Sequence, residues 1–283
     1  MPAWYASSTV LAIAIGLIGL MVLPNGIARL IAIEPHHRAL LSGTIGTGLV
    51  LCWYIGLAGA LDIPRTDLFI DRPDRRILRW IAVTMTLACC LIVVTIVLTS
   101  GRIALVDPSK GWLVLGLVTA GIAIGVWTGL IEELFVRGYL LAILGHRWQW
   151  PGAILVTSVL FGLLHHAGAA GPFGRIQYIL MTTVAGVLLG VLTVASQSVW
   201  PAVAVHASWN AVFSDFLVSF SRDTPALVQY VPATDHWIVT AGNVSPTESL
   251  LATGLFLVAT ALLLRSIRRT DHHHSCTQSK PTD

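Results

Sequence analysis

Residues 112–138 read WLVLGLVTAGIAIGVWTGLIEELFVRG, twenty uncharged residues followed by two adjacent carboxylates and an arginine. The uncharged run is long enough to cross the roughly 30 Å hydrocarbon core of a bilayer as a helix. An ionisable side chain at the centre of such a helix costs about 2.5–3.5 kcal/mol on insertion scales. Three of them within six residues therefore indicate a specific role.

On a helix, Glu133 and Arg137 are i and i+4 and share a face, whereas Glu132 points about 100° away. The spacing therefore predicts a supporting ion pair beside a carboxylate that stays available. Alone, the same run is equally typical of a solvated cap or an interfacial salt bridge, so other segments must decide between the two interpretations.

The composition is that of a polytopic membrane protein. The chain has 283 residues, of which 11% are charged, and a mean hydropathy of +0.78. A soluble domain carries about 25% charged residues. The four cysteines show no framework spacing and indicate structural thiols rather than disulfides or a zinc knuckle. No nucleotide-binding loop or basic nucleic-acid patch occurs, so nucleic acid is excluded as a predicted partner.

The hydropathy pattern predicts an all-α fold, a membrane helix bundle with about eight transmembrane helices. The predicted segments are 4–23, 40–61, 78–98, 112–131, 151–166, 176–195, 199–220 and 249–264. The first has no basic flank or cleavage pattern and indicates a retained span rather than a signal peptide. We expect three parts: N-terminal transmembrane helices in 1–100 (about three spans), a catalytic transmembrane domain in 101–265 and a disordered cytoplasmic tail in 266–283.

The basic residues predict the orientation of the bundle. With eight spans, eleven of the seventeen Lys and Arg residues fall on the side of the termini and six on the other. The positive-inside tendency then places both termini in the cytoplasm, in a bacterial-type plasma membrane.

Polar residues on later segments supply partners for the glutamates. His165 and His166 end the fifth segment, and His206 and Asn210 are i, i+4 neighbours on the seventh. At 1.5 Å per residue, these groups and Glu133 reach a common level below the cytoplasmic surface. For His166 and for Asp215 an ordinary structural role is the more frequent case.

These residue types fit amide hydrolysis within a membrane. A carboxylate beside an imidazole in a low-dielectric cleft can activate water as a general base. A histidine and an asparagine on another helix can donate hydrogen bonds to a developing oxyanion. The sequence contains no HExxH or GxSxG motif and no intramembrane aspartate pair, so other intramembrane protease chemistries are not supported.

Three ordered motifs resemble those of the CPBP family, which comprises CAAX prenyl endopeptidases, bacteriocin-processing proteins and Abi proteins. The motifs are Glu132-Glu133-xxx-Arg137, Phe161-xxx-His165 and His206-xxx-Asn210, within roughly residues 112–215. The resemblance implies an eight-helix bundle that cleaves peptide bonds at or in the membrane. It also implies that Glu132 and His165 activate the water, that His206 and Asn210 stabilise the oxyanion, and that Glu133 and Arg137 support them.

Several alternatives stay open at this point. The resemblance does not decide between a metal-free glutamate mechanism and a divalent metal such as zinc, whose ligands would be Glu132, His165 and His206. The expected partners are the lipid bilayer and a membrane-associated peptide or protein, prenylated or not. Two other functions compete with the endopeptidase: a non-catalytic immunity or partner-binding protein, and a small transporter with a proton relay. The oligomeric state is not predicted.

Overall fold

The computed structural model describes residues 3–31, 34–60, 65–70, 73–166, 171–221, 226–234, 236–241 and 245–278. Its helices are α1 (Ala3–Ile31), α2 (Pro35–Ala60), α3 (Arg76–Thr99), α4 (Gly111–Glu133), α5 (Leu141–Leu164), α6 (Gly171–Ser196), α7 (Trp200–Val212), α8 (Trp237–Thr240) and α9 (Leu250–Gln278). A π-helical segment, Leu134–Leu140, joins α4 to α5. Short 3₁₀ turns occupy Arg65–Leu68 and Pro246–Glu248. The predicted all-α polytopic bundle is confirmed.

Five helices of the described part are long and apolar enough to cross a membrane. They cover Pro35–Leu57, Arg76–Thr99, Gly111–Gly145, Gly171–Ser196 and Leu250–Arg269. The predicted segments 151–166 and 199–220 correspond to the second half of α5 and to α7, which are shorter. Helix α7 ends at Val212 because the chain turns there and enters a strand near Asp215, which has a left-handed φ of 65°. The count of eight spans stays a prediction.

A three-stranded sheet lies where α3, α4 and α7 meet the connecting segments, and the sequence did not predict it. Its strands are β1 (Arg102–Leu105), β2 (Val218–Ser219) and β3 (Val228–Val231), in the order β1-β3-β2. Strand β3 is antiparallel to β1 and parallel to β2. The Tyr230 hydroxyl lies 2.7 Å from Thr99 Oγ1 and accepts from the Gly101 amide, which ties the sheet to the end of α3.

Small residues let α2, α4 and α7 pack closely, which is how membrane helices commonly associate. A Cβ added to Gly43 on α2 would lie 2.5 Å from the backbone of Ala123 on α4. One added to Gly125 on α4 would lie 2.5 Å from the amide nitrogen of Ala211 on α7. Helix α4 is therefore held between two neighbours, and its last turn, with the two glutamates, is rigidly placed.

The run from Trp112 to Gly145 is too long for one straight span, which predicts either a kink near Gly121, Gly125 or Gly129 or residues 138–147 lying in the interface. No kink occurs at these glycines: the helix continues through the π segment, and the chain changes direction at Gln149, which has φ 62° and ψ 152°. The interfacial position of 138–147 stays a prediction. The glycines serve packing, so they leave the helix axis intact.

The C-terminal helix extends further than expected. Helix α9 runs to Gln278, whereas the polar composition of 266–283 favoured disorder. Once an apolar helix has formed, adding residues at its end costs little, since the expensive step is nucleation. Residues 61–64 and 71–72, between α2 and α3, and residues 279–283 of the predicted tail lie outside the described part of the chain. The proposed domain boundaries stay predictions.

Candidate active site

The last turn of α4 places its two glutamates in different surroundings. The side chain of Glu133 is completely buried, whereas that of Glu132 is 18% exposed and lies on the wall of a cavity. Because successive helical residues point about 100° apart, one turn of backbone serves both an interior contact and a cavity.

Glu133 is held by Arg137 and by His206, and the contact with Arg137 also connects three helices. Its Oε1 accepts a hydrogen bond of 2.8 Å from Nη1 of Arg137, whose side chain is also buried. Arg137 donates through Nη2 to the carbonyl oxygen of Gly186 on α6 at 3.2 Å, and its guanidinium lies 4.5 Å from the ring centroid of Phe161 on α5. A buried ion pair of this kind needs such extra contacts because both charges have left water. The arginine therefore joins α4 to α5 and α6.

His206 on α7 contacts both glutamates. Its Nδ1 lies 2.7 Å from Oε1 of Glu133, and its Nε2 lies 3.8 Å from Oε2 of Glu132. A carboxylate accepts hydrogen bonds, so Nδ1 carries the proton and Nε2 faces the cavity. Glu133 thus orients this imidazole.

His165, at the end of α5, presents its Nε2 to Oε2 of Glu132, as His206 does. Its Nδ1 lies 2.7 Å from the carbonyl oxygen of Phe161, which can only accept, so the proton sits on Nδ1. Its Nε2 lies 3.7 Å from Oε2 of Glu132. The ring packs on Phe161 with centroids 4.5 Å apart and meets Tyr178 edge-on at 5.6 Å.

The Oε2 atom of Glu132 is the centre of this arrangement. It is buried, and it has no hydrogen-bond partner among the described residues. The two Nε2 atoms beside it are too distant for direct hydrogen bonds, at 3.7 and 3.8 Å. Contacts longer than 3.5 Å between polar groups are the usual setting for a bridging water. A water that donates to Glu132 and to one imidazole would satisfy the buried oxygen.

Oε2 of Glu132 and Nε2 of His165 and His206 are also the atoms that would coordinate a divalent metal. Within the described ranges, however, no group of three or more His, Cys, Asp or Glu side chains has a metal-binding arrangement. A divalent metal held by these residues stays a prediction, and no step below depends on one.

Asn210 lies one turn beyond His206 and is positioned by a residue that the sequence analysis missed. Its Nδ2 donates to Oγ1 of Thr128 on α4 at 2.9 Å. An amide nitrogen has two hydrogens, so a second donor remains for the cavity that Asn210 lines. Thr128 lies one turn before Glu132, a spacing that marks it as sharing the face of that residue.

The cavity itself has a volume of about 400 Å³. It is lined by Glu132, His165, His206 and Asn210 together with residues that the sequence analysis did not single out, among them Tyr178 and Glu248. A second cavity of about 350 Å³ shares Glu132, Phe161, His165 and Tyr178 and is otherwise lined by Met21, Phe135, Val136 and Leu164. A polar and an apolar cavity thus meet at Glu132 and His165.

Two polar residues named in the sequence analysis lie apart from this group. His166 is exposed, and its Nδ1 lies 3.1 Å from the carbonyl oxygen of Leu163. Asp215 is exposed at the turn after α7 and accepts a hydrogen bond of 2.9 Å from Oγ of Ser219. Neither residue lines either cavity.

The comparisons with known proteins agree with the location of the site. No curated protein is significantly similar to the chain. Residues 111–212 match the family described as "Type II CAAX prenyl endopeptidase Rce1-like". This range, about a third of the chain, includes all seven motif residues. The resemblance to CAAX-protease-like CPBP proteins is therefore confirmed over residues 111–212, the part of this membrane protein that matches the Rce1-like endopeptidase family.

Proposed function

We propose that the chain is an intramembrane endopeptidase that hydrolyses a peptide bond of a membrane-associated substrate with a water activated by Glu132. The observation that carries this proposal is the buried Oε2 of Glu132, which has no hydrogen-bond partner in the described part of the chain. It faces Nε2 of both His165 and His206 across gaps of 3.7 and 3.8 Å. An orphaned acceptor of this kind is costly unless a water or a substrate group binds it.

The chemistry follows from the positions of these groups. Glu132 accepts a proton from the water, and His165 holds the water through Nε2. The hydroxide attacks the scissile carbonyl carbon and a tetrahedral oxyanion forms. The free amide hydrogen of Asn210 donates to that oxyanion, and so does Nε2 of His206 when it is protonated. The proton on Glu132 then passes to the leaving amine as the carbon–nitrogen bond breaks.

Glu133 and Arg137 act indirectly in this scheme. Glu133 accepts from Nδ1 of His206 at 2.7 Å, so it fixes the ring and stabilises the charge that the ring carries when Nε2 is protonated. A carboxylate performs the same service for the histidine of a serine protease triad. Arg137 holds Glu133 in place through the hydrogen bond from its Nη1.

The apolar cavity supports a substrate that is attached to the membrane. It opens onto the same two residues, Glu132 and His165, and apart from Tyr178 its other lining side chains are apolar. A hydrocarbon group is therefore accommodated beside the reacting bond. The Rce1-like match makes a prenylated C-terminal CAAX peptide the first substrate to try.

We further propose that both termini face the cytoplasm of a bacterial-type plasma membrane. The charge asymmetry of the connecting segments supports this orientation. In a variant without its native cysteines, a cysteine at Lys110 should react with a membrane-impermeant maleimide in intact cells, and one at Arg147 should not. The opposite pattern would reverse the orientation.

The test of the endopeptidase proposal is cleavage by purified protein in detergent. Wild type, Glu132→Gln and Glu34→Gln would each receive the same panel of prenylated and unprenylated peptides, with and without a chelator. Glu34 is exposed between α1 and α2, so its substitution makes the same chemical change away from the site. We expect wild type and Glu34→Gln to cleave at equal rates and Glu132→Gln to be inactive.

The outcomes separate the alternatives. Equal turnover by Glu132→Gln would refute the role of that residue, and loss of cleavage with chelator would assign the step to a metal. A folded wild type that binds peptide and cleaves nothing would instead favour a non-catalytic binding protein. That second function is not favoured here because all four proposed catalytic side chains line one cavity.

A further inference from the structure

Glu248 is the one acidic cavity-lining residue that the proposed mechanism leaves unused. It lies in the 3₁₀ turn before α9 and lines the polar cavity together with Glu132. Its Oε2 is buried without a hydrogen-bond partner among the described residues, as is Oε2 of Glu132. The catalytic water accounts for the orphaned acceptor of Glu132, whereas the one of Glu248 still lacks a donor.

The backbone around Glu248 is fixed, so its position in the cavity wall is well defined. Ser245 caps the turn by accepting from the amide of Thr247, and its hydroxyl lies 2.7 Å from Oγ1 of that residue. Gln177 on α6 donates through Nε2 to the carbonyl oxygen of Glu248 at 2.8 Å. A carboxylate on an anchored backbone is suited to recognising a substrate group because little ordering is needed on binding.

The electrostatic surroundings favour a cation as that group. The described residues that line the cavity include no Lys or Arg, and Arg137 is buried behind the wall and bonded to Glu133. Burial and, to a smaller extent, the nearby carboxylate of Asp215 together raise the pKa of Glu248 to about 7. The energetic cost of ionising a buried carboxyl group falls when a cation binds beside it.

The titratable groups that face Glu248 come from two elements. Helix α6 contributes Tyr178, and the turn after α7 contributes Asp215. Arg175, two residues before Gln177 on α6, is exposed. The cations of α9 begin at Arg265, seventeen residues beyond Glu248, or about 25 Å along a helix. Those of α3, Arg76 and Arg79, lie at the end of that helix away from the sheet.

We propose that Glu248 is a specificity-determining residue that binds a cationic group of the substrate, a lysine or arginine side chain or a free amine, beside the scissile bond. The proposal rests on the proposed function, since it names the substrate class of that same site. A cationic group would donate a hydrogen bond to the buried oxygen of Glu248 and would also balance the negative charge of the cavity. A neutral donor would supply only the hydrogen bond.

The experiment measures binding, so it does not require turnover. The probe is a lipidated, fluorescent decapeptide of alanine and norleucine, and a series of the same peptide with one lysine at each position in turn. Binding to Glu132→Gln protein in a zwitterionic detergent is followed by fluorescence anisotropy. At one or two neighbouring positions, lysine should lower Kd roughly tenfold, as expected for a hydrogen bond to a charged group.

Substitutions at Glu248 assign the effect. Adding Glu248→Gln should reduce the advantage of lysine to less than about twofold, and adding Glu248→Lys should transfer it to a matching glutamate series. Asp107→Asn removes the same charge from an exposed loop and should keep the lysine advantage. Thermal unfolding in the same detergent identifies any variant that has lost its fold.

The acidity of Glu248 adds a second readout. The carboxylate form binds the cation, so the lysine advantage should grow as pH rises through about 7, where the empty site titrates. A lysine effect that is absent at every position, or that survives Glu248→Gln, would overturn the proposal. Cleavage of the same peptides by wild type tests the endopeptidase function separately, so the two results can fail independently.

Discussion

The two faces of the last turn of α4 each carry a glutamate, and the two glutamates differ in burial and in the groups that they contact. On the interior face, Glu133 is fully buried and shares Oε1 between Arg137 and His206 at 2.8 and 2.7 Å. On the cavity face, Glu132 keeps a buried oxygen with no partner among the described residues. Oε2 of Glu133 is also buried without a partner among the described residues, so the two glutamates differ in their neighbours. Oε1 of Glu133 is fixed by two close contacts, whereas the nitrogens nearest to Oε2 of Glu132 lie 3.7 and 3.8 Å away across a cavity. The first arrangement supports structure, and the second leaves room for a water or a substrate group. Adjacent identical side chains can therefore have opposite tasks.

The largest expected effect comes from the cavity face. Glu132→Gln keeps the size of the side chain and removes the base, so turnover should fall by about 10²–10⁴. The free energy of unfolding should change by no more than about 0.5 kcal/mol, since no described contact is lost. Peptide cleavage and thermal unfolding of the same preparation would measure both. A strongly destabilised Glu132→Gln protein would show that Glu132 also supports the fold, which would contradict the proposed difference between the two faces.

The interior face should show the reverse pattern. Arg137→Ala leaves Glu133 buried without its main partner, which costs about 3–5 kcal/mol of stability. The double variant Glu133→Gln/Arg137→Ala should recover part of that loss because no uncompensated charge remains. Unfolding in detergent compares the three proteins. A single variant as stable as wild type would show that the pair contributes little.

Asn210→Ala tests the opposite wall of the cavity, at α7. Removing one oxyanion donor typically lowers kcat by about 10²–10³. Since the lost hydrogen bond to Thr128 is also a structural contact, Asn210→Asp serves as a variant of equal size. Single-turnover rates at saturating peptide would measure the effect. A change in KM alone would assign Asn210 to substrate binding.

The smallest effect is expected for the residue that only positions Asn210. Thr128→Val keeps the shape and removes the acceptor of the 2.9 Å hydrogen bond. We expect kcat to fall severalfold, KM to stay constant, and stability to drop by about 1 kcal/mol. In the Asn210→Ala background, Thr128→Val should have no further effect on kcat, and an additive loss would contradict the positioning role.

Residue spacing along the sequence predicted the contact within one helix, and it did not predict which side chains pair between helices. The i, i+4 rule pairs Glu133 with Arg137 because both lie on one helical face. The sequence analysis grouped His206 with Asn210 as neighbouring donors, but in the structure His206 bonds Glu133 and Asn210 bonds Thr128. Those contacts depend on how closely α7 packs on α4, and periodicity along one helix does not contain that information.

The connecting segments were the least predictable part of the fold. Strands β1 and β3 have four residues each and β2 has two, too few to show an alternating pattern. Glu248 gave no signal either, because a glutamate in a polar loop is usually solvated. Its place in the cavity wall follows from the hydrogen bond with Gln177, a residue 71 positions earlier.

The π-helical segment Leu134–Leu140 has a consequence for how this chain tolerates insertions and deletions. A π turn holds one more residue than an α turn, so it behaves like a single inserted residue that the helix has absorbed. Deleting Leu140 would therefore let the segment relax to an α-helix and leave the helices on either side in nearly their present orientation. A one-residue deletion in the regular turns of α5 would instead rotate His165, at the end of that helix, by about 100° relative to the glutamates.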